Sequence, residues 1–225
     1  MRRTIVTFVL AGLLFAGSAR ATLIDRGNGL IYDDALNITW LQDANYAQTS
    51  GFDADGLMDW NTAKSWADNL VYQGFSDWRL PYISVAAGAG PFTGSPVHCG
   101  TATELACRDN ELGYMYYQNL NGVGDNKTGN QVGDGGVTLN NIRPIYWSGT
   151  EFSSLGAWVV DFFGGQGPGD KRNDVAFAAW AVRPGDVVRV PEPGSVMLLG
   201  VGLLGLGLAR RRWGRCYGAP ISYSI

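Results

Sequence analysis

Histidine is almost missing from this chain: His98 is the only one in 225 residues, and cysteine occurs three times, at Cys99, Cys107 and Cys216. A structural zinc site usually takes four thiolate or imidazole ligands, more than one histidine and two neighbouring cysteines can supply. With His98 alone, no Ser-His-Asp or Cys-His constellation is evident in the sequence, and conventional nucleophilic catalysis has little support. Positive charge is also short in the central part, where residues 22–189 hold 10 Lys or Arg against 19 Asp or Glu, a formal charge of -9 (10 - 19). Such a surface repels phosphate, which argues against nucleic acid as a partner. It tolerates cations, basic peptides and neutral ligands, and it keeps an exported protein soluble. Long apolar runs are missing as well. Residues 5–16 and 195–209 are the two greasy segments, and both fall short of the roughly 20 residues of a comfortable membrane span.

Those two segments have the flanks of processing signals. Arg2 and Arg3 precede the first, and small residues lead from it to Ala19-Arg20-Ala21. Positive charge, a short apolar core and small residues before the cut define a secretory signal peptide over residues 1–21, removed by signal peptidase after Ala21. At the other end, Pro191-Glu192-Pro193 is followed by the uncharged segment 195–209 and then by Arg210, Arg211, Arg212 and Arg215. As a helix that segment rises about 22 Å against a hydrocarbon core of about 30 Å, which suits a transient membrane stop. The arginines favour the cytoplasmic side and leave the central domain outside. The order of these residues, over 190–215, resembles the PEP-CTERM sorting signal of Gram-negative bacteria. The resemblance implies recognition by an exosortase-type protease, removal of the helix, and delivery to the cell envelope, cell surface or extracellular matrix, alongside secreted polysaccharide. The sequence departs from that pattern by running on through an atypical tail, residues 216–225. The alternative is a simple carboxyl-terminal anchor.

Residues 22–189 suit one globular domain with a sizeable core. Cys99 and Cys107, eight apart and bound for an oxidising compartment, are candidates for a small loop disulfide. Strands are expected over 22–32 and 36–40. A helix is expected over 59–71, where Trp60, Ala63, Trp66, Ala67 and Leu70 recur at helical spacing behind the capping residue Asp59. Short helices are expected over 103–108 and 111–120. Six glycines within 121–139 read as a long surface excursion. The last third alternates like antiparallel sheet. It has a strand over 146–150, one over 157–163 with Trp158, Val160 and Phe162 on one face, and a hairpin partner over 175–182. The expected class is α+β, with helices packed beside a twisted antiparallel sheet and long loops.

Several short motifs follow in order: Ser76-Asp77-Trp78-Arg79-Leu80-Pro81, Glu104-Leu105, Gly113-Tyr114-Met115-Tyr116-Tyr117, Tyr146-Trp147-Ser148-Gly149-Thr150, Ala157 to Phe162, and Ala179-Trp180-Ala181-Val182-Arg183. Together they resemble the Lcl carboxyl-terminal domain family over about residues 30–186. The resemblance implies a C-type-lectin-like or formylglycine-generating-enzyme-like fold and, by analogy with the namesake adhesin, binding of sulfated polysaccharide. Fold is shared much more widely than function, and the acidic balance and the lack of collagen-like repeats separate this chain from the namesake. A formylglycine-type oxidase needs a reactive cysteine arrangement, whereas Cys99 and Cys107 read as a loop staple.

The candidate site residues are few. Asp53-Ala54-Asp55-Gly56 resembles part of a calcium loop, with Asp53 and Asp55 as ligands, and reads equally as a turn leading into a helix. Asp125, Asp134, Asn173 and Asp174 are further oxygen donors in loops. Trp78, Trp147, Trp158 and Trp180 are expected in the core, with one or two left exposed to stack on a sugar. Arg79 and Arg183 are expected to pair with Asp77 or Asp161. A ligand rim is expected from Tyr116, Tyr117, Asn121, Asp125 and Asn126. The resulting expectation is an exported binding or structural module, carbohydrate-binding in its sharpest form, that requires no cofactor beyond the calcium candidate and meets extracellular polysaccharide or a surface protein. One alternative is an envelope polysaccharide-modifying enzyme with two converging carboxylates. Another is an architectural matrix protein without a ligand pocket.

Overall fold

Alternating apolar residues open the domain with three short strands: β1 (Leu23–Asp25), β2 (Leu30–Asp33) and β3 (Ile38–Leu41). These coordinates are a computed structural model that describes residues 22–83, 99–172 and 175–187. The signal peptide at 1–21, the glycine-rich segment at 86–95, His98, Asn173, Asp174, the sorting segment at 190–215 and the tail at 216–225 lie outside the described residues. Gly27, Asn28 and Gly29 all take positive φ between β1 and β2, a left-handed turn that glycine and asparagine enter at least cost.

Helix α1 (Tyr46–Thr49) and strand β4 (Leu57–Met58) lead to α2 (Trp60–Asp68). Asp59 caps α2 by accepting the Asn61 and Thr62 amides at 3.0 and 3.1 Å. Trp60, Ala63, Trp66 and Ala67 are buried along one face, as their spacing requires. The helix stops three residues short of the expected 71, where the Asn69 side chain takes the Ser65 carbonyl at 2.8 Å and begins a turn.

Two short helices follow, α3 (Glu104–Cys107) and α4 (Glu111–Tyr114), the second running on into a π-helical turn, Met115–Asn119. The remaining strands are β5 (Gly129–Val132), β6 (Thr138–Ile142), β7 (Ile145–Ser153), β8 (Gly156–Asp161), β9 (Gln166–Asp170), β10 (Phe177–Ala178) and β11 (Val182–Pro184). They form a four-stranded sheet β1-β2-β3-β11, a five-stranded sheet β4-β10-β7-β8-β9, and the hairpin β5-β6. The class is mixed α+β with antiparallel and mixed sheets. No helix among the described residues is long and apolar enough to cross a membrane.

Three expectations about this sheet region need correction. The expected hairpin of 157–163 with 175–182 does not form. β8 pairs with β7 and β9, while the 175–182 stretch divides between sheets, β10 lying parallel to β7 and β11 antiparallel to β3. β9 carries no strand signal because it is built from Gly167, Pro168 and Gly169. Its glycine is needed there, since a Cβ on Gly169 would stand 2.6 Å from the Trp147 ring. Secondly, the stretch 121–139 contains β5 and a short 3-10 turn, Asp134–Gly136, and pairs with β6. Thirdly, Trp158 is only half-buried, against Phe152, while its neighbour Ala157 is fully enclosed.

Trp180 lies between β10 and β11 and joins the two larger sheets. Its indole donates to the Leu41 carbonyl at 2.7 Å, and its ring meets Trp40 at 4.8 Å and Tyr146 at 5.5 Å. Trp147 donates to the Met58 carbonyl and Trp60 to the Ser148 carbonyl, both at 2.8 Å, which ties α2 and β4 to β7. Each indole thereby buries a large apolar surface while its polar N–H stays satisfied.

Candidate functional site

A cleft of about 600 Å³ opens where α1 faces the β5-β6 hairpin and the turn from β6 to β7. Its polar walls are Asn45, Gln48, Thr49, Thr128, Asn141 and Arg143. These are amides, hydroxyls and one guanidinium, a set that offers donors and acceptors in several directions.

Asp43 holds two of these walls. Its Oδ1 accepts the Asn45 backbone amide at 2.9 Å and the Asn141 side-chain amide at 3.1 Å. The backbone adds a bond from the Ala44 amide to the Asn140 carbonyl at 2.8 Å. Asn141 takes a left-handed conformation, φ 57°, and its own amide donates to the Asn130 side chain at 3.0 Å. Asn45 is buried and donates to Gln48 at 2.7 Å. Gly56, at φ 75°, packs so closely on it that a Cβ would lie 2.0 Å from Asn45 Oδ1.

Arg143 is fixed through its backbone, whose N–H donates to the Tyr146 hydroxyl at 2.6 Å. Tyr146 is fully buried, and burial pushes its pKa well above the usual tyrosine value, so the hydroxyl stays neutral. The Arg143 side chain is half-buried, its Nε is enclosed without a hydrogen-bond partner, and it forms no ion pair. The other eight Lys and Arg side chains among the described residues all have a carboxylate partner.

The calcium candidates occupy a turn. Asp53 Oδ1 accepts the Asp55 and Gly56 amides at 3.0 and 2.8 Å, and Asp55 Oδ1 accepts the Leu57 amide at 2.9 Å. Burial works to raise the Asp53 pKa, and the amides outweigh it to lower the value overall. No group of three or more His, Cys, Asp or Glu that could hold a metal occurs among the described residues.

The expected rim is redistributed. Tyr116 is fully buried and belongs to no rim. Its hydroxyl accepts the Gly124 amide at 3.0 Å and donates to the Asp125 carbonyl at 2.8 Å, pinning the loop from inside. Tyr117 is half-buried and donates to the Gly164 carbonyl. Asn121, Asp125 and Asn126 are exposed. Asp125 accepts the Val123 amide and pairs with Lys127, and Asn126 accepts the Thr128 amide at 2.8 Å. That last bond connects the expected rim to the cleft wall. The sequence reading missed Asn45, Gln48, Thr49, Asn141 and Arg143. One signal pointed to Arg143, a basic residue with no acidic residue among its sequence neighbours 139–147.

Arg183 pairs with Asp77 at 2.7 and 2.9 Å, one of the expected choices. Arg79 pairs with neither Asp77 nor Asp161. It makes a two-pronged bond to Glu111, 2.7 Å on each arm. Asp161 instead accepts the Phe163 and Gly165 amides of its own turn. Cys99 and Cys107 are bonded to each other and pack with buried Tyr114.

Beyond the described domain, the chain carries the mark of an exported protein. Residues 189–212 match the family described as the PEP-CTERM protein-sorting motif, a match that takes in Pro191, Glu192, Pro193, Arg210, Arg211 and Arg212. That motif marks an exported, surface-associated protein of Gram-negative bacteria and implies recognition by exosortase, a processing enzyme. No curated protein and no solved structure matches the chain.

Proposed function

We propose that this surface-associated protein is a carbohydrate-binding module rather than an enzyme, and that the cleft between α1 and the β5-β6 hairpin is its binding site. The observation that carries the reading is the preformed polar wall, in which Asp43 and Tyr146 hold Asn45, Asn141 and Arg143 from behind. A saccharide presents many hydroxyls at fixed spacing, and amide and hydroxyl groups fixed before binding lose little entropy when they engage them. Recognition here runs through hydrogen bonds, with the cleft's own polar walls as partners. The order of the tryptophan and tyrosine motifs supports placing the domain near the Lcl type and its lectin-like fold. Delivery of the chain to the cell surface, to which its sorting motif directs it, agrees with such a ligand. This reading assigns no catalytic residue and needs no cofactor, calcium included.

The test is a glycan array probed with the full-length chain, in calcium and in chelator, together with Gln48→Ala and Thr128→Val. Saturable binding that survives chelation and weakens about fivefold in each variant, the value of one hydrogen bond, is the expected result. Binding that neither variant changes would move the site elsewhere. Release of new reducing ends from a bound polymer would replace this reading with the polysaccharide-modifying enzyme.

A further inference from the structure

The Arg143 guanidinium poses a problem of charge. The domain is strongly acidic, and every other described Lys or Arg has been drawn into an ion pair. Arg143 alone among them has none, although it is half-buried and its Nε is cut off from both water and protein acceptors. No acidic residue lines the cleft, and Asp43 behind its wall has its Oδ1 committed to the Asn45 and Asn141 amides and forms no ion pair with Arg143. Partial burial of an unpaired cation is unfavourable in the free protein and is relieved by an anion that enters from the cleft.

We propose that Arg143 is the anchor for a carboxylate on the ligand, so that the cleft takes a uronate-bearing saccharide; the inference rests on the carbohydrate reading above. A guanidinium presents planar paired donors that match a carboxylate. The amides and hydroxyls of Gln48, Thr49, Thr128 and Asn141 lie around it in the same cleft, placed for the ring hydroxyls. One cation is present, so one anionic group is read. A densely charged polymer would meet repulsion from the rest of an acidic surface, which favours a sparsely carboxylated saccharide over a heavily sulfated one.

The full-length chain is titrated with short oligosaccharides that each carry a single glucuronate, galacturonate or mannuronate among neutral sugars, each paired with its methyl ester, and with a sulfated oligosaccharide. The ester removes the charge and keeps the sugar. At least one acid should bind about tenfold or more tighter than its ester, the range of a charge-assisted hydrogen bond. Arg143→Gln should bring acid and ester to within about twofold of each other by weakening the acid alone. The acid-to-ester comparison uses the unaltered protein, so it decides the matter even if the variant folds poorly. Equal binding of acid and ester overturns this inference and leaves the carbohydrate site standing. Preference for the sulfated oligosaccharide overturns the carboxylate assignment. No binding of any member overturns the carboxylate assignment, and the glycan array decides separately whether the carbohydrate site stands.

Discussion

Asn119 donates its side-chain amide to the Asp33 carboxylate at 2.6 Å, and both side chains are sealed from solvent. The bond ties β2 to the π-helical turn, while the other Asp33 oxygen accepts the Ala35 and Leu36 amides. Burial dominates the electrostatics and pushes the Asp33 pKa up to about 6, against the opposing pull of those hydrogen bonds. A carboxyl whose pKa is raised by folding stabilises the fold when protonated. That contribution is present below the unfolded-chain pKa and is lost as pH rises through about 6. Asp33→Asn, which does not titrate, should therefore gain on the wild type by about 3 kcal/mol between about pH 3.5 and about pH 7. Urea unfolding of both proteins at the two pH values measures the difference, and a constant difference would mean that Asp33 titrates normally.

The disulfide between Cys99 and Cys107 closes a short loop beside buried Tyr114. Closing a loop of that length removes roughly 2.5 kcal/mol of unfolded-chain entropy. Replacing both cysteines by serine should lower stability by about that amount, read from thermal unfolding. A protein equally stable with and without reductant would show that the bond carries no such weight.

Arg79 and Glu111 join the segment after α2 to the first turn of α4, and Glu111 also accepts the Tyr82 amide at 2.7 Å. Both side chains are largely enclosed, at 20% and 12% exposure. Removing one member strands the other away from water, so Glu111→Ala should cost about 3 kcal/mol. The Lys64–Asp68 pair on the outside of α2 is nearly half exposed, and Asp68→Ala should cost under about 0.5 kcal/mol. Chemical denaturation of the two variants side by side tests the contrast.

Asp59 accepts two amides at the start of α2. Asp59→Ala should cost about 1 kcal/mol, and Asp59→Ser should recover most of it because serine caps in the same way. Failure of serine to rescue would show that the charge of Asp59 matters more than its hydrogen bonds.

The elements that were legible in the sequence are those whose local pattern and tertiary role coincide. Trp60, Ala63, Trp66 and Ala67 repeat at helical spacing and are buried at that spacing, and Asp59 caps as an aspartate in that position should. The strand β9 was illegible because one of its glycines, Gly169, serves the Trp147 ring, a partner 22 residues away in the chain. Residues 175–182 read as one strand from their apolar content, yet Trp180 needs the Leu41 carbonyl, and reaching it carries the chain from one sheet to the other. The site was illegible for a similar reason. Asn45 and Asn141 are ordinary polar residues in sequence, and the Asp43 carboxylate, with the backbone bond from Ala44 to Asn140, brings them to one cleft. Tyr116 was misplaced on the rim because a tyrosine beside a glycine-rich loop serves equally well as an anchor from within, which is the role its two hydroxyl bonds give it.

The most direct test of the account is amide chemical-shift mapping of the isotopically labelled full-length chain as the best-binding saccharide is added. The cleft assignment predicts shifts concentrated in residues 45–49, 128–129 and 141–143, moving together along one saturation curve. Shifts centred elsewhere, such as the exposed Phe52 and Val71 or the end of β7 and its turn into β8 at Phe152 and Leu155, would contradict it.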